Sequence, residues 1–311
     1  MIVIDTSVIL CGIKLKNPTI LASGILGISS ELLVNIAKAG AGAVTSKSCG
    51  LLPRAGHSNP TVLEWKHGLI NAVGLSNPGF KEEVSELKKA KIKLKELGVP
   101  LVASFFADKV DNFALLAEKL SEAEPDFLEV NISCPNTESD LGRMFAAEAE
   151  TAAAVTRAVK KRTKILLIVK LSPNVTDIKE IAKAVEGAGA NAISAINTVG
   201  PGMFIDVESG KPILANKVGG LSGPAILPIA IAKVFEVCSV VKIPVIGMGG
   251  VTSGKDAIEM MMAGASAVGV GSAVYYRGIK VFTKINQEIK KFMKDHRFQK
   301  LSEFRGIAHK N

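Results

Sequence analysis

Thr19-Ile20-Leu21-Ala22-Ser23-Gly24-Ile25-Leu26-Gly27 is the first apolar run of the chain together with the turn that ends it. It separates the two common ways of building a parallel sheet. An open doubly wound sheet needs Gly-x-Gly-x-x-Gly directly after its first strand and an acidic residue on the second. This turn has Gly24 and Gly27 and does not fit that spacing. Seven more short apolar runs follow: Ala43–Ser48, Pro100–Ser104, Phe127–Asn131, Ile165–Lys170, Ala192–Ile196, Pro244–Gly247 and Ala267–Val270. Amphipathic stretches come after them at Ser30–Ala39, Lys81–Leu97, Val110–Leu120, Ala147–Lys161, Asp177–Ala188, Ala225–Val237, Gly254–Ala263 and Gly278–Phe292. Eight strands, each followed by a helix, predict an α/β protein of the (β/α)8 TIM-barrel type.

Helix stops repeat with the same rhythm, as in Ala39-Gly40-Ala41-Gly42, Leu97-Gly98-Val99-Pro100 and Gly187-Ala188-Gly189-Ala190. Residues 2–18 form an extra N-terminal segment before the first barrel strand. Residues 49–78 and 197–221 exceed ordinary connections and are candidate functional insertions. No composition break or linker divides the chain, so residues 1–311 are expected to be one barrel domain.

Composition narrows the function classes. The 311 residues are 48% hydrophobic and 22% charged, which excludes a disordered chain, a fibrous repeat and a small disulfide scaffold. Aromatics are only 5%, so Ile, Val, Leu and Ala must fill the core. The net charge of +9 is dispersed. Lys81 to Lys95 interleaves lysines with glutamates like a solvated helix face, and the basic tail from Lys280 to Lys310 has no aromatic-interleaved pattern. No nucleic-acid role is therefore expected. Cys11, Cys49, Cys134 and Cys238 form no C-x-x-C pair, so no metal or iron–sulfur site is spelled out. Neither a signal peptide nor a continuous apolar span is apparent, which predicts a cytoplasmic protein without membrane attachment.

In such a barrel the site lies where strands end. Those ends carry Ser23-Gly24, Lys47-Ser48, Ser104, Asn131 followed by Cys134, Lys170, Asn197-Thr198, Gly249-Gly250 and Gly271-Ser272. All are polar, glycine or cysteine and none is acidic, which points to an anionic, hydrogen-bonding ligand. Glycines closing either of the last two strands alone would read as tight turning. Both together match the phosphate site common after the seventh and eighth strands. Lys47 and Lys170 could serve as Schiff base, phosphate anchor or charge partner of a cofactor, or simply snorkel to the surface. A flavin suits Lys170, because its reduced ring carries negative charge at N1.

Cys134, in Asn131-Ile132-Ser133-Cys134-Pro135-Asn136, is placed to act as base or nucleophile, against the usual fate of a lone thiol as inert filler. Cys11 and Cys238 fit that inert role. Cys49 lies close to Lys47 and stays open as a reactive candidate. The cluster Asn71-Ala72-Val73-Gly74-Leu75-Ser76-Asn77-Pro78-Gly79 offers donors and acceptors for a flat polar ring.

Taken together, these segments resemble the class 1 dihydroorotate dehydrogenases of pyrimidine synthesis over nearly the whole chain. The resemblance rests on Leu21 to Gly24, Thr45 to Ser48, Asn71 to Leu75, Asn131 to Asn136, Ile196 to Thr198, Gly219 to Pro224 and the two glycine segments. It implies bound FMN and oxidation of dihydroorotate to orotate. It further implies that Ser23, Lys47, Ser48, Ser104, Asn131, Lys170, Ile196, Gly223, Gly249, Gly250, Gly271 and Ser272 line the FMN. Substrate would meet Lys47, Asn71, Ala72, Val73, Gly74, Leu75, Asn131, Asn197 and Thr198. Cys134 matches the catalytic base, where the membrane-linked class 2 enzymes have serine. Ser104 departs from the Asn of many relatives and reaches less far.

Lys47-Ser48-Cys49 and Leu52-Pro53-Arg54-Ala55-Gly56 look more like class 1B than the fumarate-using type. That resemblance implies a homodimer within a heterotetramer, whose second subunit carries FAD and a 2Fe–2S cluster and passes electrons to NAD. Dihydropyrimidine dehydrogenase and tRNA-dihydrouridine synthase chemistry are the rival FMN readings, and a non-catalytic flavin-binding scaffold is a third.

Overall fold

Alternation of side chains along short strands needs two partners, one for each face, and here a closed sheet inside a ring of helices supplies both. The computed structural model describes residues 4–133 and 148–310. Eight parallel strands close into a barrel: β1 (Thr19–Leu21), β2 (Ala43–Thr45), β3 (Leu101–Phe105), β4 (Phe127–Asn131), β5 (Leu166–Leu171), β6 (Ala192–Ala195), β7 (Val245–Met248) and β8 (Ala267–Val270). Each pairs with its neighbours in sequence, and β8 meets β1 with Val268 opposite Thr19 and Val270 opposite Leu21. The helices between them are α1 (Ser30–Lys38), α2 (Phe80–Leu97), α3 (Val110–Ser121), α4 (Ala149–Lys160), α5 (Ile178–Gly187), α6 (Leu227–Cys238) and α7 (Gly254–Met262), with α8 (Val281–Asp295) after β8. The expected (β/α)8 barrel is the observed fold.

The two strand faces bury separate cores. Outward residues such as Leu21, Val44, Phe105, Leu128 and Val169 pack against the helix faces of Leu33, Leu87, Phe113, Val155 and Val234. Inward residues Ile20, Val102, Phe127, Ile168 and Ile246 fill the barrel with Leu10 and Leu15. Those two leucines come from an antiparallel hairpin, Val8–Leu10 paired with Ile13–Leu15, so the extra N-terminal segment plugs the barrel floor.

Local chemistry sets the helix ends. Ser29 caps α1 by accepting from the Leu32 N–H at 3.3 Å, and Asp177 caps α5 by accepting from Lys179 N–H at 2.8 Å. Ser253 and Asp256 form a reciprocal capping box at α7. Gly98 ends α2 in the left-handed region, at φ +60°, with its N–H returned to the carbonyls of the last turn. The last helix differs from its expected range of Gly278–Phe292: α8 begins only at Val281, and a further short helix at Ala273–Arg277, not expected from the sequence, follows β8 directly.

The two long insertions meet. Val62–Trp65 and Gly68–Asn71 form a hairpin in the first, and Val199–Gly202 pairs with Gly219–Ser222 in the second. Ser222 lies opposite Leu69 and Gly220 opposite Asn71, which joins them into one four-stranded antiparallel sheet. A small core of Ile70, Ala72 and Leu214, flanked by Leu63, Phe204 and Leu221, holds it together. Trp65 packs on Phe204 at 5.5 Å between ring centres.

Candidate active site

Period-two alternation builds the barrel interior in layers. β3 turns Val102 and Ser104 inward, β4 turns Phe127, Glu129 and Asn131, and β5 turns Ile168 and Lys170. An apolar floor therefore gives way to a polar layer of Ser104, Glu129 and Ser194, then to Ser48, Asn131 and Lys170 at the mouth. These polar residues are all buried, Lys170 to 5% exposure.

Above them lies a cavity of about 410 Å³, roofed by the four-stranded sheet. Its lining includes Ser23, Lys47, Ser48, Asn131, Lys170 and Ile196 from the strand ends. Asn71, Val73, Gly74, Leu75, Asn197 and Thr198 line the side towards the insertions, and Gly223, Gly249, Gly250, Gly271 and Ser272 form a further wall. These expected site residues come together. Two do not reach the wall. Ala72 points the opposite way from Asn71 and Val73, into the core of the four-stranded sheet. Ser104 is fully buried one layer down, where its hydroxyl meets Ser48 at 2.8 Å. Cys134 lies outside the described residues.

Hydrogen bonds order the mouth. Ser23 donates to the Ser46 carbonyl at 2.8 Å and sits 3.1 Å from the Ser48 hydroxyl. Asn131 Nδ2 donates to Ser48 Oγ at 3.2 Å, while Asn131 Oδ1 accepts from Ser133 N–H and Oγ at 3.3 and 3.1 Å. Asn197 Nδ2 donates to the Ser133 carbonyl and hydroxyl at 3.1 and 2.9 Å. Asn71 reaches the Gly220 carbonyl at 3.4 Å across the accessory sheet.

The glycine wall supplies the donors. At Gly250, φ is +78° and an added Cβ would lie 2.7 Å from Leu227 N, so only glycine lets the segment pass the start of α6. The backbone N–H groups of Gly249, Gly250, Gly271 and Ser272 have no acceptor among the described residues. Backbone donors left unpaired in this way call for an acceptor, and their clustering suits a phosphate. Lys170 Nζ likewise has no carboxylate or hydrogen-bond acceptor among the described residues, and it faces the same cavity. The donor set thus fits an anionic, phosphate-bearing ligand.

The titratable surroundings separate reactive from inert groups. Burial pushes the Cys49 thiol well above its ordinary value, raises Cys11, and pushes Cys238 up to about 12. Cys49, open as a candidate in the sequence, is fully buried and held protonated. Glu83, in the first turn of α2, is buried rather than part of the solvated face that its lysine-rich neighbours suggested. Desolvation pushes its carboxyl up to about 7, opposed by a hydrogen bond with Ser46 and the charge of Lys47.

Sequence reasoning missed Glu129, Met248, Ser222 and Tyr275. Glu129 left a signal, an acid within the otherwise apolar Phe127-Leu128-Glu129-Val130. Tyr275 left none; it lines the cavity while its hydroxyl donates to Glu64 at 2.7 Å.

The sequence model of the dihydroorotate dehydrogenase family matches residues 6–293, which takes in the whole barrel and the cavity wall. The chain belongs to the dihydroorotate dehydrogenase family. It is 48% identical over 300 residues to the dihydroorotate dehydrogenase B (NAD(+)) catalytic subunit of Methanocaldococcus jannaschii, covering 96% of this chain and 97% of that one. The protein of the same name from Pyrococcus abyssi is 45% identical over 299 residues, with 96% and 97% covered. That of Methanothermobacter thermautotrophicus is 43% identical over 309 residues, with 98% of each chain covered. Among the described residues there is no cluster of metal-ligating side chains, and no helix is long and apolar enough to cross a membrane.

Proposed function

We propose that this chain is the catalytic subunit of an NAD-linked dihydroorotate dehydrogenase, oxidising (S)-dihydroorotate to orotate in pyrimidine synthesis. The observation that carries the reading is the family match across a barrel whose mouth gathers Lys47, Lys170 and the unpaired amides of the glycine wall. FMN, when bound, supplies the acceptor for the hydride that leaves C6 of the substrate. Gly249, Gly250, Gly271 and Ser272 hold its phosphate. Ser23, Ser48, Asn131, Lys170, Ile196 and Gly223 hold its ring, with the Lys170 ammonium offsetting charge that develops there.

Lys47 offsets the substrate carboxylate. Asn71, Val73, Gly74, Leu75, Asn131, Asn197 and Thr198 surround and orient the substrate ring. Cys134 takes the proton from C5. Two observations support that role. Burial holds Cys11, Cys49 and Cys238 protonated. Ser133, the residue before Cys134, is fully buried and tied to both Asn131 and Asn197 at the cavity. Two copies of this chain, joined by subunits carrying FAD and a 2Fe–2S cluster, form the cytoplasmic heterotetramer that delivers the electrons to NAD.

The test is steady-state orotate formation by the FMN-loaded chain with a dye acceptor. Dihydroorotate should be oxidised and dihydrouracil, which lacks the carboxylate, should not. Lys47→Ala should raise KM for dihydroorotate by about tenfold or more. Absence of orotate with saturating FMN and dye would refute the proposal.

A further inference from the structure

The barrel interior holds one carboxylate that the reaction above does not use. Glu129 is 3% exposed, in the layer below Asn131. Both of its oxygens act as acceptors: Ser104 Oγ donates to Oε1 at 3.1 Å and Ser194 Oγ donates to Oε2 at 2.9 Å. No ion pair with Glu129 occurs among the described residues. A carboxylate accepts and does not donate, so it commits the hydrogen of each serine to itself.

That commitment propagates upward. With its hydrogen on Glu129, Ser104 Oγ has only lone pairs for Ser48 Oγ at 2.8 Å, so Ser48 must be the donor in that contact. Ser48 then faces the mouth with lone pairs, and it accepts from Asn131 Nδ2 at 3.2 Å. The Asn131 amide is thereby oriented with Oδ1 towards Ser133, whose hydroxyl donates to it at 3.1 Å. The Ser133 hydroxyl in turn accepts from Asn197 Nδ2 at 2.9 Å, and Asn197 Oδ1 accepts from the Thr198 N–H at 2.8 Å. Every bond from Thr198 to Glu129 donates in the same direction. Chains aligned in this way polarise one another, and a buried carboxylate is a strong terminus for one.

We propose that Glu129 is a positioning residue: it terminates a one-way hydrogen-bond chain that fixes how the Asn131 amide meets the substrate. With a neutral side chain at 129, Ser104 and Ser48 could reverse, and Asn131 would lose the bias that presents its remaining N–H to a ring carbonyl, whereas Asn197 stays held by the Ser133 carbonyl and the Thr198 N–H. The inference rests on reading the cavity as the dihydroorotate site. It differs from direct ligation, because Glu129 lies below the cavity wall and acts only through Ser104.

The experiment compares the FMN-loaded chain with Glu129→Gln, Ser104→Ala and the double variant. Orotate is the probe, titrated by its perturbation of the flavin absorbance, with kcat and KM for dihydroorotate measured alongside. Each single variant should bind orotate about fivefold to tenfold more weakly, the effect of one mispaired hydrogen bond. The double variant should be no weaker than either single one, because both changes cut the same chain. Ser104→Ala removes one oxygen without changing the backbone, so it keeps the test sharp if Glu129→Gln folds poorly. Orotate affinity equal to the parent in Ser104→Ala, or losses that add in the double variant, would overturn the proposal. A parent chain that binds FMN but no orotate would instead overturn the dihydroorotate reading, and this inference with it.

Discussion

Glu83→Gln is expected to stabilise the protein at pH 8 far more than at pH 5. In the fold the Glu83 carboxyl titrates at about 7, whereas its ordinary value is 4.5. Between those values the folded chain keeps a proton that the unfolded chain has released. Stability therefore falls as pH rises through that window, and the full cost is reached above about pH 7. At about 1.4 kcal/mol for each pH unit, ionised Glu83 costs about 3 kcal/mol at pH 8 and less than about 1 kcal/mol at pH 5. Gln keeps the volume and a partner for Ser46 while removing the charge. The assay is urea unfolding of parent and variant side by side, at equal FMN, across pH 5 to 8. The stability gap should widen by about 2–3 kcal/mol over that range. Parallel curves would show that the carboxyl does not titrate there, and the desolvation argument for α2 would fail.

Substitutions at the mouth of the barrel have equally definite outcomes. Cys134→Ala should lower turnover by roughly 10²–10⁴ while leaving flavin content unchanged, as bound-flavin absorbance and dye reduction will show. Lys170→Ala removes a buried cation and should lower the flavin reduction potential by tens of millivolts, since about 1.4 kcal/mol corresponds to about 30 mV for two electrons; redox titration against the parent decides it. Gly250→Ala puts a Cβ 2.7 Å from Leu227 N at a backbone angle of φ +78°. It should cost about 1–3 kcal/mol of stability and weaken FMN binding, read by thermal unfolding and flavin fluorescence.

Much of this architecture was legible because strand and helix periods differ and glycines mark the handovers. The eight barrel strands fall on the apolar runs, and the residues that close each run make up most of the cavity wall. The parts that escaped did so for physical reasons. The accessory sheet includes Val199-Gly200-Pro201-Gly202, which has no alternation to reveal a strand, and its partners lie far away in sequence. Ala72 sits between two wall residues, and strand-like alternation turns it the other way. Ser104 is drawn below the wall because Ser48 and Glu129 both bond to it there. Glu83 looks like its solvated neighbours in a linear reading, yet the first turn of α2 packs it towards Ser46 and Lys47. Only the folded barrel brings Glu129, on β4, to Ser194, on β6.

The central claim, that the cavity at the barrel mouth oxidises dihydroorotate with bound FMN, is tested most directly by an anaerobic absorbance spectrum of the FMN-loaded chain before and after adding substrate. Dihydroorotate should bleach the flavin band and dihydrouracil should leave it intact, with NAD unable to restore the colour until the electron-transfer subunit is added. A flavin band that dihydroorotate leaves unbleached would contradict the account.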